Sequence, residues 1–587
     1  MYEIIINSTI LSTTLIATGN FISKKLLKES SDRSLAYFGL VGIITLSILS
    51  FILNLFIPLN EIASNFIYIF LILNLFILKN ISHKKIFNFI KKTSLFVILN
   101  VLILSYSNYY DPDGGWYHLP FSRIINDYKI IIGSVSLHPM FGSHSILQYL
   151  AASFHNSLTT FNGVLYVNAL IGTFSLFYLF QKYLSEKNFN LKIFLFIALS
   201  LFFIEMNRVS EYGNDTPAHL FFIITIFLTT NFLKSENLKE NRFKEICLFS
   251  IFTFFIKPLL IFILFIPFWI FLKKKLFTKL NFYPFFSMII LVFWMLKNVL
   301  LSGCLIYPIK QTCFENLSWY SSNPEFVIAA ENSSQFSELH SKGWKNFDKN
   351  IKFFNNYDFE KEEKEKYLRS FNWLKTYLED GYYYNITKKI DYLLIYLSLI
   401  LIIFIFLSKI KNTKKDGSSI QSLKEEKFIY FFNLVFLTIF IAKFPDGRYG
   451  LSFIFLFIYF IFIHSLNFLN LKLNFSLIKK VSNFALIFLF VIFVSKNMNR
   501  ILQKKESLLP HPEINYNLKN PTFNIENKKI LNGNDIEIFF GNSKHIRFAE
   551  KNFCKYHKSP CIPNNEFIND FFIEKKNGYL ILKLVDK

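Results

Sequence analysis

Two groups of acids and three isolated cations are the residues of this sequence that could do chemistry. The first acids stand in "YYDPDGGWYHLP" (109–120), where Asp111 and Asp113 lie two positions apart and Trp116, Tyr117 and His118 follow. Asp-Pro and Asp-Gly are ordinary turn signals, so a plain turn is one reading. The other is a pocket. A carboxylate at the edge of a low-dielectric layer keeps its proton more tightly, which suits a general base. Two acids at this spacing could also hold a divalent cation, Mg2+ or Mn2+, through oxygen ligands. An EF-hand loop does not fit, because no acids follow at its remaining ligand positions.

The second acidic stretch, "EMNRVSEYGNDTPAHL" (205–220), brings Glu205, Glu211 and Asp215. The cations are Lys257 in "FTFFIKPLLIF", Lys297 in "FWMLKNVLLSG" and Arg448 in "FPDGRYG". A lysine inside apolar sequence is costly unless it is paired or meets water, which makes it a candidate site residue. The plainer alternative is a side chain snorkelling to the membrane surface. The planar fork of arginine matches phosphate with two parallel hydrogen bonds.

These residues need a frame, and the composition says which kind. Of 587 residues, 52% are hydrophobic and 75 are Phe. Mean hydropathy is +0.34. The apolar residues gather into runs of roughly 15 to 23, the length that crosses a bilayer as a helix. The expectation is an all-α polytopic membrane protein with about 12 to 14 transmembrane helices. The first run carries Glu3 and no basic leader, so it reads as a span with its N-terminus outside, not as a cleaved signal.

The net charge of +23 could suggest nucleic acid. The lysines, however, collect in alternate loops, such as "SKKLLKESSDR" (23–33), "KKKLFTK" (273–279) and "KIKNTKKDG" (409–417), and "PLNEIAS" (58–64) has none. That alternation is the positive-inside pattern. No nucleic-acid partner is expected; the bilayer is.

Following the chain from loop to loop gives six parts: N-terminal helices (1–108), an outer loop with the acidic motif (109–161), a transmembrane core (162–300), a large outer loop (301–390), C-terminal helices (391–496) and an outer tail (497–587). The segments rich in unusual polar residues all fall on one face. In the first outer loop, "PFSRIINDYKIII" and "SHSILQYLAASFHN" are amphipathic and too short to span, so they read as interfacial helices. The tail alternates in "DIEIFFG" and "YLILKLV" and reads as a small α+β soluble appendage. Cys304–Cys313 and Cys554–Cys561 lie on the outer side as local pairs without zinc-type spacing, and are read as two disulfides. Cys247 lies in a span and reads as inert.

Taken together, "DPDGGWYHLP", "GNDTPAHL", "FIKPLL", "KNVLLSGCLIYP" and "FPDGRYG" resemble a family of uncharacterised bacterial multipass proteins with the fold of the type-C glycosyltransferases. The resemblance covers about residues 90 to 500. Those enzymes use sugars carried on polyprenyl phosphate or diphosphate. Two departures stand out: several members place the acid after the first span, and their motif is a simple Asp-Glu pair. The resemblance implies a bacterial inner-membrane enzyme of surface-glycan synthesis, with donor and acceptor (glycan, lipid or protein) meeting on the outer face. In it Arg448, with Lys257 or Lys297, would hold the donor phosphate, Asp111 or Asp113 would be the base, and Trp116, Tyr117, His118 and Asp215 would shape the sugar pocket. A transporter or flippase of an anionic or lipid-linked substrate is the alternative from another class, and a polysaccharide polymerase or ligase is the chemically nearer one. No organic cofactor is expected.

Overall fold

The computed structural model describes residues 2–25, 34–77, 83–104, 114–142, 144–206, 213–234, 240–273, 282–320, 338–339, 341–343, 366–387, 390–410, 427–468, 475–503, 528–530, 537–540, 561–562 and 571–584. Among these, six helices are long and apolar enough to cross a membrane: Tyr2–Lys25, Leu35–Asn54, Gly163–Ser185, Asp215–Lys234, Gly447–Leu466 and Ile478–Gln503. Several shorter apolar helices accompany them. Their outer faces explain what must surround them. On the helix Asp391–Ile410, the residues Tyr392, Ile395, Leu399, Ile402 and Phe406 follow the three-and-four spacing of one helical stripe, and each is more than half exposed. Water would not tolerate such a stripe, so the chain is membrane-embedded.

In chain order the helices are α1 (Tyr2–Lys25), α2 (Leu35–Asn54), α3 (Glu61–Ile77), α4 (His83–Leu104), α5 (Leu119–Asp127), α6 (Ile146–Ser153), α7 (Tyr166–Ser185), α8 (Phe189–Ile204), α9 (Asp215–Lys234), α10 (Glu240–Ile256), α11 (Phe265–Lys273) and α12 (Phe282–Ser302). Then follow α13 (Trp373–Glu379), α14 (Tyr384–Thr387), α15 (Asp391–Ile410), α16 (Lys427–Lys443), α17 (Gly447–Phe468) and α18 (Phe475–Gln503). Helices α1 and α2 approach until their backbones touch. A Cβ on Gly19 would strike the Phe38 carbonyl, and one on Gly42 would strike that of Leu15. Small residues at such crossings are how helices pack where lipid removes the hydrophobic drive.

Polar contacts knit each end of the bundle. At one end the Leu59 N–H donates to Ile125 O (2.9 Å), Gly133 N–H to Leu300 O (2.8 Å) and Asn168 Nδ2 to Gly213 O (2.8 Å). At the other, Tyr183 Oη meets Ser482 Oγ at 2.6 Å and Lys234 Nζ donates to Asn188 Oδ1 at 3.3 Å. The described parts of the polar loops singled out in the sequence belong to the first end.

Three local features differ from the sequence reading. Helices α5 and α6 occupy the two amphipathic segments, but they are enclosed by protein and do not lie open to a lipid surface. Every residue of α6 is buried. Their polar groups are used internally: Asn126 Nδ2 donates to both Leu59 O (2.5 Å) and Ala152 O (2.8 Å). Second, α18 runs on to Gln503, past the expected start of the tail at 497. Third, the tail is not free-standing. Its strands are β1 (Lys528–Ile530), β2 (Glu537–Phe540), β3 (Cys561–Ile562), β4 (Phe571–Lys576) and β5 (Tyr579–Leu584). The β4–β5 hairpin docks on the first polar loop: Ile132 exchanges hydrogen bonds with Leu580 O and Leu582 N–H, both at 2.9 Å. Tyr579 Oη donates to Leu55 O at 3.0 Å, and Lys129 Nζ lies 3.5 Å over the Tyr579 ring.

Candidate functional site

The three residues Asp215, Lys257 and Arg448 converge from three helix ends. Asp215 opens α9, where the helix N-terminus stabilises a carboxylate. Lys257 follows the last residue of α10 and precedes Pro258. Proline disfavours the helical region for the residue before it, and Lys257 is extended, at φ −143° and ψ 101°, with a 3-10 turn (Pro258–Leu264) starting behind it. The apolar stretch around Lys257 is therefore two short helices, α10 and α11, broken at Lys257. Arg448 is the second residue of α17. The turn "PDG" makes that helix start: the Asp446 side chain accepts from Arg448 N–H at 2.9 Å, the N-cap contact.

The carboxylate of Asp215 bridges both cations. Lys257 Nζ donates to Oδ1 at 2.5 Å, and Arg448 Nε donates to Oδ2. The Tyr449 ring serves both cations, with Lys257 Nζ 4.6 Å and the Arg448 guanidinium 5.9 Å from its centre. Two cations against Asp215 and Asp446 leave no net side-chain charge. The N-termini of α9 and α17 add about half a positive charge each, so the place stays attractive to anions. Arg448 in particular stands where the helix dipole disfavours a cation, so its position is not explained by helix stability. The site is open on the arginine side: the Arg448 side chain is 38% exposed, that of Asp215 23% and that of Lys257 11%.

One turn below, a second contact repeats the first. His219 is four residues after Asp215 and Ser452 four after Arg448. His219 Nδ1 meets Ser452 Oγ at 2.6 Å, and Nε2 meets Arg448 O at 3.0 Å. A carbonyl can only accept, so Nε2 carries the proton and Nδ1 accepts from the serine hydroxyl in the neutral ring. Both groups are buried. His219 and Ser452 were not singled out in the sequence; their matched four-residue offsets were the available signal. Tyr377 Oη, donating to Pro445 O at 3.2 Å, ties α13 to the same turn.

His118 and Lys297 belong to a different, closed cluster. His118 Nδ1 accepts from Gln148 Nε2, and Gln148 Oε1 in turn accepts from Ser145 N–H at 2.5 Å in the capping box of α6. Tyr117 packs its ring on His118, 4.2 Å between centres. Lys297 is buried, with Nζ 3.3 Å over the Trp294 ring. Beside it His144 is held between Phe141 O (2.8 Å) and Tyr149 Oη (3.0 Å). Burial, then the nearby Lys297 charge, push His144 well below its ordinary pKa, with His118 acting the same way and the Phe141 carbonyl opposing. The clusters touch through Phe255, two residues before Lys257, which stacks on Trp294 at 4.5 Å.

Asp111 and Asp113 lie outside the described residues, as do Glu211 and Cys554. Of Trp116 only the backbone is described, within the turn Gly114–His118. Among the described residues, no three His, Cys, Asp or Glu side chains gather as a metal site. Cys304 and Cys313 are joined by a disulfide, and Cys247 is free and buried.

A family model described as "Domain of unknown function (DUF8201)" matches residues 1–455. No curated protein and no solved structure matches the chain.

Proposed function

We propose that the chain, which belongs to this DUF8201 family, is an integral membrane glycosyltransferase. It moves a sugar from a polyprenyl-phosphate-type donor to a glycan, lipid or protein acceptor, on the outer face of a bacterial inner membrane, in cell-surface glycan synthesis. The observation that carries this reading is the meeting of Lys257, Arg448 and two helix N-termini at one open place at the end of an apolar bundle. A donor of this class keeps its tail in lipid and presents phosphate at the boundary, where such cations are needed. The sidedness rests on the alternation of basic loops.

In the reaction, the acceptor oxygen bonds to the anomeric carbon as the carbon–phosphate oxygen bond breaks. The electron pair leaves on the phosphate, where Arg448 and Lys257 offset the growing charge. The acceptor proton passes to a carboxylate, assigned to Asp111 or Asp113 of the acidic motif by analogy with glycoside chemistry. The same acids could hold Mg2+ or Mn2+. Lys297, turned into the closed cluster, supports the wall behind the site and is not a phosphate ligand in this reading.

The test is incubation of the purified protein in lipid nanodiscs with polyprenyl-phosphate sugars and surface-glycan acceptors, with and without Mg2+ or Mn2+. Transfer should be lost in Arg448→Gln and in the Asp111→Asn/Asp113→Asn double variant. Transfer unchanged in both sinks the assignment. Movement of the lipid-linked sugar across the bilayer with no new glycosidic product would favour the flippase reading.

A further inference from the structure

We propose that Asp215 is a placeholder: its outer oxygen occupies, in the resting protein, the position on Arg448 that an oxygen of an anionic ligand takes. The inference rests on the reading of this place as a phosphate site and specifies how it is filled. Four observations support it.

First, the carboxylate spends one oxygen on each cation, Oδ1 on Lys257 and Oδ2 on Arg448, so the Arg448 contact can be given up while the Lys257 contact stays. Second, the two halves differ in access. The Arg448 side chain is 38% exposed and that of Lys257 11%, so an incoming anion reaches Arg448 first. Third, the backbone of Arg448 does not depend on Asp215 for its place. Its N–H is held by Asp446 Oδ1 and its carbonyl by His219 Nε2, both through the backbone. Fourth, Asp215 keeps support after letting go of Arg448, because Lys257 and the N-terminus of α9 still face it. Binding is then an exchange of anions at Arg448 and leaves no buried charge unpaired. A plain structural clamp would need none of this asymmetry. The exchange also delivers a carboxylate with a freed oxygen next to the bound phosphate, so the ligand itself would alter what Asp215 can accept.

The experiment measures binding of farnesyl phosphate, with farnesol as the uncharged control, to the full chain in phosphatidylcholine nanodiscs. Asp215→Asn should bind farnesyl phosphate about fivefold or more tightly than the native protein, the gain from removing a partly exposed competitor. Arg448→Gln should bind it more weakly, and the double variant should be as weak as Arg448→Gln. Asp215→Ser, whose hydroxyl suits a helix N-terminus, repeats the first arm if the asparagine variant does not fold. If Asp215 variants with native melting temperatures bind as weakly as Arg448→Gln, or no more tightly than the native protein, the placeholder is overturned while the anion site stands. If native and variant proteins bind farnesyl phosphate no better than farnesol, the anion reading falls with it.

Discussion

Replacing His219 tests whether the second contact between α9 and α17 sets the register of the ion pair above it. In the native protein His219 makes two hydrogen bonds, at 2.6 Å to Ser452 Oγ and 3.0 Å to Arg448 O. A neutral hydrogen bond contributes about 1 kcal/mol net, and a buried hydroxyl left without a partner costs about 1–3 kcal/mol. Ser452 is fully buried but sits one turn after Arg448, so its hydroxyl can turn to the Arg448 carbonyl and recover part of that loss. His219→Phe should therefore cost about 2 kcal/mol. The two bonds can be separated. Asparagine places an oxygen near the Nδ1 position and keeps the serine contact; glutamine places an N–H near Nε2 and keeps the carbonyl contact. Each should cost about 1 kcal/mol. Because His219 and Ser452 share one bond, His219→Phe and Ser452→Ala should couple by about 1 kcal/mol in a double-mutant cycle. The assay is reversible unfolding in mixed detergent–SDS micelles. Phosphate affinity gives a second readout: His219→Gln, which still holds the Arg448 carbonyl, should bind farnesyl phosphate better than His219→Asn. Additive costs within about 0.3 kcal/mol, with equal affinities in the two variants, would refute the reasoning.

Lys257→Met should destabilise the protein by about 1–3 kcal/mol, less than a fully buried pair because Asp215 is partly open, and Asp215→Asn should restore part of it in the double variant. Acid should weaken the polar loop region through its buried histidines. Burial lowers His138 to about 3, and burial with the Arg123 charge lowers His155 to about 4 against an opposing Glu61. Depressed folded values mean that stability is complete above about pH 6.5 and falls as pH drops towards 4 and 3, at up to about 1.4 kcal/mol per pH unit for each ring. Unfolding midpoints from pH 7.5 to 4.5 would show this, and a flat profile would contradict it. Tyr579→Ala removes the bond to Leu55 O and the ring under Lys129, so amide exchange of residues 129–133 should rise about tenfold while that of α9 stays unchanged.

The sequence made the ion triad partly legible for a physical reason. Asp215, Lys257 and Arg448 are charges in places where apolar sequence or a turn makes charge costly, and counting helix ends puts all three at one end of the bundle. What it could not supply was who pairs with whom. The contact between Asp215 and Arg448 spans 233 positions, and nothing local encodes it. Lys297 shows the limit of the same argument. Its type and setting match those of Lys257, yet it turns to a tryptophan ring, because α12 presents that face inward. In α5 and α6 the amphipathic pattern correctly gave short helices, but an apolar stripe does not distinguish lipid from protein as its cover. The strands of the tail were visible as alternation, whereas their docking on Ile132 depends on edge hydrogen bonds that any sequence could offer.

That docking has a consequence for how the molecule is made. Tyr579 and Leu55 are separated by 524 positions, so the contact closes only after the ribosome has delivered the helices between them. Until then the edge of the first polar loop at Ile132 stays uncovered. Deletion of the hairpin should therefore act late, leaving helices that insert but a loop layer sensitive to protease. The hairpin is a late clasp on the first polar loop, because the residues it joins are far apart along the chain.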